Sequence, residues 1–244
     1  MGQINIEVTH LKFSYEKQNP ILKDISFSAD GQASLGVVGA NGAGKSTLLK
    51  LLVGLYFPDS GSIRIGDVPL QKETLAQIRK MAGYVFQDSE SQLFMPNVYE
   101  DVAFAPQNYG LPEEEVAYRT KMALAAVHIE HLAKKPIHKL SGGEKKLASI
   151  ATILSMQPDI ILMDEPSAAL DPQNRRNLIR VLNEFSYLKL IASHDLDFVW
   201  DTCDRTILLS EGRIVCDGDT REILSDRKLL EAHGLELPLS LYRE

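Results

Sequence analysis

Cysteine is scarce in this sequence: Cys203 and Cys216 are the only two in 244 residues. Two are too few for a disulfide framework, and their surroundings carry no paired spacing suited to zinc. Both read as buried thiols. Long apolar runs are missing as well. A membrane-spanning helix needs roughly 18 to 20 continuous apolar residues, whereas the longest strongly apolar runs here are short segments such as Ile160 to Met163. The chain is therefore not expected to cross a bilayer. The opening run from Met1 to Tyr15 alternates like a strand and lacks a basic stretch followed by an apolar core. A secretory signal is not expected, and cytosolic residence is. Positive charge is in deficit, with 26 Lys and Arg against 33 Asp and Glu and a net charge of -7. That balance argues against sequence-independent affinity for nucleic acid, which needs a basic face.

What is present suits one folded domain. Hydrophobic residues at 44% and charged residues at 24% are ordinary for a globular protein and exclude disorder or a fibrous repeat. The length allows a single large α/β domain with its own core and an inserted subdomain. Strands are expected at Ile4 to Val8, Ile21 to Ser28 and Leu35 to Val38, then a helix from Lys45 to Val53. Short strands at Ser62 to Ile65 and Val68 to Leu70 precede a helix near Thr74 to Lys80 and a strand at Tyr84 to Phe86. Pro112 and three glutamates open a helix running through Val116 to Val127. From Gly142 onward helices and strands alternate, which implies a parallel sheet covered by helices. Two strands follow Arg205, then a short helix capped at Thr220 and a tail without clear periodicity. The expected division is a core over about 1–87 and 158–225, including a β subdomain. A helical subdomain covers about 88–157, and the tail is 226–244.

Three motifs carry chemistry. Gly39-Ala40-Asn41-Gly42-Ala43-Gly44-Lys45-Ser46-Thr47 lies directly between an apolar strand and an apolar-periodic helix, the context a phosphate-binding P-loop requires. Its backbone N–H groups and helix start address phosphates; Lys45 supplies charge and Ser46 a Mg²⁺ ligand. Ile160 to Met163 is a buried strand ending in Asp164 and Glu165, at the edge where open α/β sheets bind ligands. There Asp164 suits Mg²⁺ and Glu165 suits proton abstraction from an attacking water. Leu140-Ser141-Gly142-Gly143-Glu144 starts a second glycine-bearing helix, whose exposed N–H groups can also receive phosphate. One ATP already has its cradle, so a second chain's ATP is the natural occupant.

In order, Tyr15, the P-loop, Gln87, LSGGE, MDEPSAALD and His194 resemble the whole motif series of the ABC ATPase family, over nearly the full chain. The resemblance implies a P-loop NTPase fold of mixed parallel sheet, antiparallel β subdomain and helical insert, with ATP and Mg²⁺ as ligands. It implies that Tyr15 stacks on adenine, Gln87 senses metal and the coupling subunit, Asp171 bridges two chains, and His194 contacts the γ-phosphate. Ala40, Glu144 and Ser167 stand where proline, glutamine and threonine are frequent in the family, and none removes an assigned chemical group.

A finer resemblance rests on Tyr84-Val-Phe-Gln87-Asp-Ser-Glu-Ser-Gln92-Leu-Phe94 and Val98-Tyr-Glu-Asp-Val-Ala-Phe104. These look like the ATPase subunits of energy-coupling-factor importers of cobalt, nickel, biotin or vitamins. His233 to Pro238 and Gly143 to Lys146 are similar to the cobalt-type members; Ser89 departs from a common proline. The resemblance implies a peripheral protein on the cytoplasmic face of the membrane, dimeric with itself or a paralogue. Leu93, Phe94, Met95, Val98 and Tyr99 are too many apolar residues for a free loop. They either fold into a core or line a groove for short membrane-subunit helices, with Glu100 and Asp101 facing basic side chains. An exporter ATPase shares these motifs. So does a soluble ABC ATPase acting on DNA or ribosomes, though that kind usually carries coiled-coil or tandem-domain additions not found here.

Overall fold

The structure is a computed structural model that describes residues 4–16, 19–31 and 33–242. Two sheets form its frame. The first is antiparallel, in the order β2 (Asn19–Asp30), β1 (Asn5–Glu16), β4 (Ser60–Ile65), β5 (Val68–Pro69). The second holds six strands in the order β10 (Arg213–Asp219), β9 (Arg205–Ser210), β3 (Ser34–Val38), β8 (Leu188–Ala192), β7 (Ile160–Asp164), β6 (Ala82–Val85). All neighbours in it are parallel except β9 and β10, which form an antiparallel hairpin.

The central strands are buried along their whole length, which is why they read as continuous apolar runs: both faces of the sheet are covered. Period-two alternation then sorts their side chains. Ile160 and Leu162 of β7, with Leu188 and Leu190 of β8, join α1 (Lys45–Leu52) and the antiparallel sheet in one core. Ile161 and Met163 face the opposite core, built with α5 (Gly142–Leu154) and α6 (Pro172–Glu184). By the same alternation Asp164 follows Leu162 onto the α1 side. A chemical consequence is thereby set by strand parity alone.

The remaining helices are α2 (Leu75–Met81), α3 (Val98–Asn108), α4 (Glu113–Ala126), α7 (Leu196–Thr202), α8 (Thr220–Ser225) and α9 (Arg227–Ala232). Helices α3, α4 and α5 pack on one another. Most expected elements appear, with local differences. The apolar segment from Leu93 is not all loop, because Asn97 caps α3 by accepting from Glu100 N at 3.0 Å, with Glu100 and Asp101 in the first turn. Pro106 lies inside α3 and obscures its helical pattern in the sequence. The short late helix is capped by Asp219, with Thr220 its first residue. The tail is partly ordered, by α9 and a 3₁₀ turn at Leu239–Tyr242. Cys203 is buried as expected, but Cys216 is only half-buried on the edge strand β10. Among the described residues no helix is long and apolar enough to cross a membrane.

Candidate functional site

Strand β3 delivers the chain into Gly39–Gly44, and the carboxyl ends of β3, β6, β7 and β8 converge there, the edge at which such sheets bind ligands. A cavity of about 430 Å³ opens above them. It is lined by Tyr15, Ile21, the loop and helix start Asn41–Thr47, Gln87, Glu165 and His194. Gly44 has φ +106, and a Cβ there would lie 2.7 Å from Leu22 Cδ2. Only glycine fits this approach to the helix start. Lys45 is 6% exposed and donates to Gly39 O at 2.7 Å and Ala40 O at 3.3 Å. Burial pushes its ammonium below the ordinary lysine value, against the opposing pull of Glu165 and Asp164.

Ser46 Oγ donates to Asp164 Oδ1 at 2.7 Å, while Tyr84 OH donates to Asp164 Oδ2 at 3.0 Å. Burial and then Asp164 raise the Tyr84 phenol well above its usual value, so it stays a donor. The paired hydroxyl of Ser46 and carboxylate of Asp164, with the Gln87 amide that lines the same cavity as Ser46, make an all-oxygen donor set whose chemistry suits Mg²⁺.

Glu165 sits just past β7 with φ +46, a conformation that turns a non-glycine residue sharply out of the strand. Its Oε2 accepts from Ser193 Oγ at 3.1 Å and His194 N at 3.2 Å, and lies 2.8 Å from His194 Nδ1. Its Oε1 is 4.0 Å from Lys45 Nζ. One oxygen is thus fixed and the other faces the lysine. Asp195, next to His194, receives both arms of Arg175 at 2.9 and 3.1 Å and caps α7 through Phe198 N. Burial raises the Asp195 carboxyl, but Arg175 and the Phe198 N–H outweigh it and hold it below the usual range.

Tyr15 is 52% exposed, its ring edge-on to Phe13 and Tyr56, and its hydroxyl is 3.0 Å from Thr47 Oγ1. A flat aromatic face is therefore presented at the cavity rim. Asp171 caps α6 by accepting from Gln173 N and Asn174 N, each at 2.9 Å, and these bonds lower its carboxyl.

Ser141, Gly142 and Gly143 do not line the cavity that holds the P-loop. Ser141 Oγ accepts from Glu144 N while Glu144 Oε2 accepts from Ser141 N at 2.7 Å, a reciprocal capping box. Glutamate rather than glutamine at 144 also pairs with Lys135 at 2.9 Å. A Cβ on Gly143 would stand 2.2 Å from Asn174 Cγ, so this helix start needs glycine to lie against α6. Gly142 instead faces a second cavity of about 200 Å³ with Gln87, Lys145, Lys146 and Ala168–Leu170. Burial pushes the Lys146 ammonium down to about 8, against the pull of Asp88 and Asp164.

The apolar segment before α3 divides. Leu93 and Val98 are core, whereas Phe94 is 64% exposed and stacks edge-on with Phe104. Asp101 is not available to a basic partner side chain: it is 3% exposed and its oxygens accept from Phe94 N and Met95 N. Glu100 remains on the surface.

The contacts made by Tyr84, Ser193, Arg175 and Lys146 escaped the sequence reading. Tyr84 alone had a signal, since it shares strand parity with Phe86 and stands beside the strand that ends in Asp164.

The ABC transporter family model matches residues 22–168. An ABC transporter ATP-binding protein of Geobacter sulfurreducens is 49% identical over 236 residues, covering 97% of this chain and 95% of the relative. The energy-coupling factor transporter ATP-binding protein EcfA of Carboxydothermus hydrogenoformans is 40% identical, covering 96% and 87%. Among solved structures, CbiO1 of Clostridium perfringens, described as part of the ABC transporter complex CbiONQ, has a TM-score of 0.85 at 35% identity and covers 93% of each chain. The chain belongs to the ATP-binding proteins of the ABC transporter family, resembles their energy-coupling-factor branch, and is an ATPase.

Proposed function

We propose that this ATPase powers a membrane importer of the energy-coupling-factor type, for cobalt or nickel ions or a vitamin, by ATP-driven closure of a dimer. The observation that carries the reading is that one chain presents two helix starts suited to phosphate on separate cavities. The first, at Gly44–Lys45, belongs to the chain's own nucleotide. The second, at Ser141–Gly143, has a use only when another copy or a paralogue brings a nucleotide to it. Each closed interface then contains two ATP molecules.

In this reading Asn41 to Thr47 cradle the phosphates, and Lys45 leaves its carbonyl partners to neutralise the transferred phosphoryl group. Tyr15 stacks on adenine. Ser46, Asp164 and Gln87 hold Mg²⁺, which when bound offsets charge on the β- and γ-phosphates. Glu165 Oε1 accepts the proton of the attacking water, its carboxylate aimed by the donors on Oε2. His194 contacts the γ-phosphate through the edge of its ring away from Glu165, and Asp171 bridges to the second chain.

The membrane partner docks on the helical subdomain, about 88–157, around Leu93 to Asp101. Exposed Phe94 and Tyr99 supply apolar contact there and Glu100 a charge. The protein then works at the cytoplasmic face of the membrane, with no nucleic acid partner. The test is affinity isolation of the tagged chain from native membranes. Small hydrophobic membrane proteins should co-purify, and reconstituted vesicles should accumulate the metal or vitamin with ATP. Co-purification with nucleic acid or ribosomes, or export from the vesicles, contradicts the importer reading.

A further inference from the structure

Lys146 is an unusual buried charge. It is 3% exposed and, among the described residues, pairs with no carboxylate; its ammonium instead donates to Phe86 O at 3.0 Å and Gln87 O at 2.8 Å. Both carbonyls stand where β6 ends and the loop carrying Gln87 begins. The far side of that loop is held to the same helix. The Gln92 side chain accepts from Phe86 N at 3.1 Å and donates to Ser149 O and Thr152 Oγ1, each at 2.8 Å. Lys145 adds an ion pair with Glu90.

These contacts come from residues 145, 146, 149 and 152, one face of α5. The loop from Phe86 to Gln92 therefore rides on α5 through side chains rather than through a backbone ladder. The start of α5 is Ser141–Gly143, and Gln87 lines the nucleotide cavity as well as the smaller cavity that Gly142 and Lys146 share.

We infer that Lys146 and Gln92 are positioning residues that make the Gln87 loop and α5 one body, so that Gln87 in one cavity and the Ser141–Gly143 helix start facing the other move together. The inference rests on the proposed roles of Gln87 and Ser141–Gly143. A shift of Gln87 toward a bound nucleotide then carries the same chain's second phosphate reader with it. Every hydrogen bond of the two side chains goes to the loop or to α5.

The test compares full-length wild type with Lys146→Met and Gln92→Leu. Gln92→Glu serves as a milder variant that keeps the acceptor for Phe86 N and removes the two donors to α5. Thermal unfolding and binding of a fluorescent ATP analogue should stay close to wild type. The turnover number kcat should fall about tenfold in each variant with KM for MgATP within about threefold, the pattern of an interaction absent from nucleotide binding itself. In a Glu165→Gln background each should need about tenfold more MgATP to dimerise, by light scattering. The double variant should lose little beyond the larger single loss, since both residues serve one attachment. Wild-type kcat and dimerisation in folded Lys146→Met and Gln92→Glu would overturn the attachment. Failure of Glu165→Gln to dimerise both alone and with its paralogue would instead overturn the composite-site reading on which it rests.

Discussion

His194 Nδ1 lies 2.8 Å from Glu165 Oε2, and that same oxygen also accepts from Ser193 Oγ and the His194 N–H. Three contacts on one oxygen aim the carboxylate and leave Oε1 toward Lys45, 4.0 Å away. In the proposed mechanism the histidine orients the base as well as meeting phosphate. His194→Ala should lower kcat about 10²-fold with nucleotide affinity little changed, the range expected for loss of a preorganised polar contact. Steady-state kinetics with a binding titration checks it, and a variant weakened only in KM would contradict the orienting role.

Lys45 is the buried cation of the phosphate loop. Lys45→Ala should abolish Mg²⁺-dependent hydrolysis, since losing that charge costs several kcal/mol of transition-state stabilisation. Phosphate release near the wild-type rate would refute the assignment.

Lys189 offers a pH prediction away from the site. It is 5% exposed and donates to Leu182 O at 2.7 Å and Phe185 O at 3.0 Å. Burial holds its ammonium below the ordinary value of 10.5, against the pull of Cys203 and Asp204. Between the folded value and 10.5 the unfolded chain binds more protons, so this group's contribution to stability rises with pH in that window. Urea unfolding of wild type and Lys189→Met should show the difference moving in favour of wild type as pH climbs toward 10.5. Parallel pH profiles would show that the group titrates alike in both states.

Phe94→Ala with Glu100→Lys should leave ATP affinity intact and reduce co-purification of the membrane subunit. Leu93 and Val98, the buried apolar residues of this segment, are left unaltered. Unchanged association with lost ATP binding would return this segment to a purely structural role.

The P-loop, the paired acids at the end of β7 and the helix start at Ser141 were legible because each rests on local chain geometry: glycine freedom, strand parity and helix capping. The fold class followed from the same alternation. What was not legible depends on contacts distant in sequence. Tyr84 reaches Asp164 on the neighbouring strand across 80 residues of sequence, and Lys146 reaches Phe86 and Gln87 across 60 and 59 residues. Asp101 looked like a surface acid; only its position under the Phe94–Met95 backbone turns it inward. Helix α3 was hidden by Pro106, which sits near its end.

The composite site is tested most directly by light scattering of Glu165→Gln during size-exclusion chromatography in saturating MgATP. Glutamine keeps the side chain's shape, cannot take the water's proton, and removes a negative charge near the triphosphate. ATP should stay uncleaved and the chain should elute as a closed dimer, with a paralogue added if it is the required second half. Adding Ser141→Arg should return it to monomer by blocking the helix start that meets the partner's nucleotide. A Glu165→Gln chain that stays monomeric alone and with its paralogue, or a dimer indifferent to Ser141→Arg, would contradict the account.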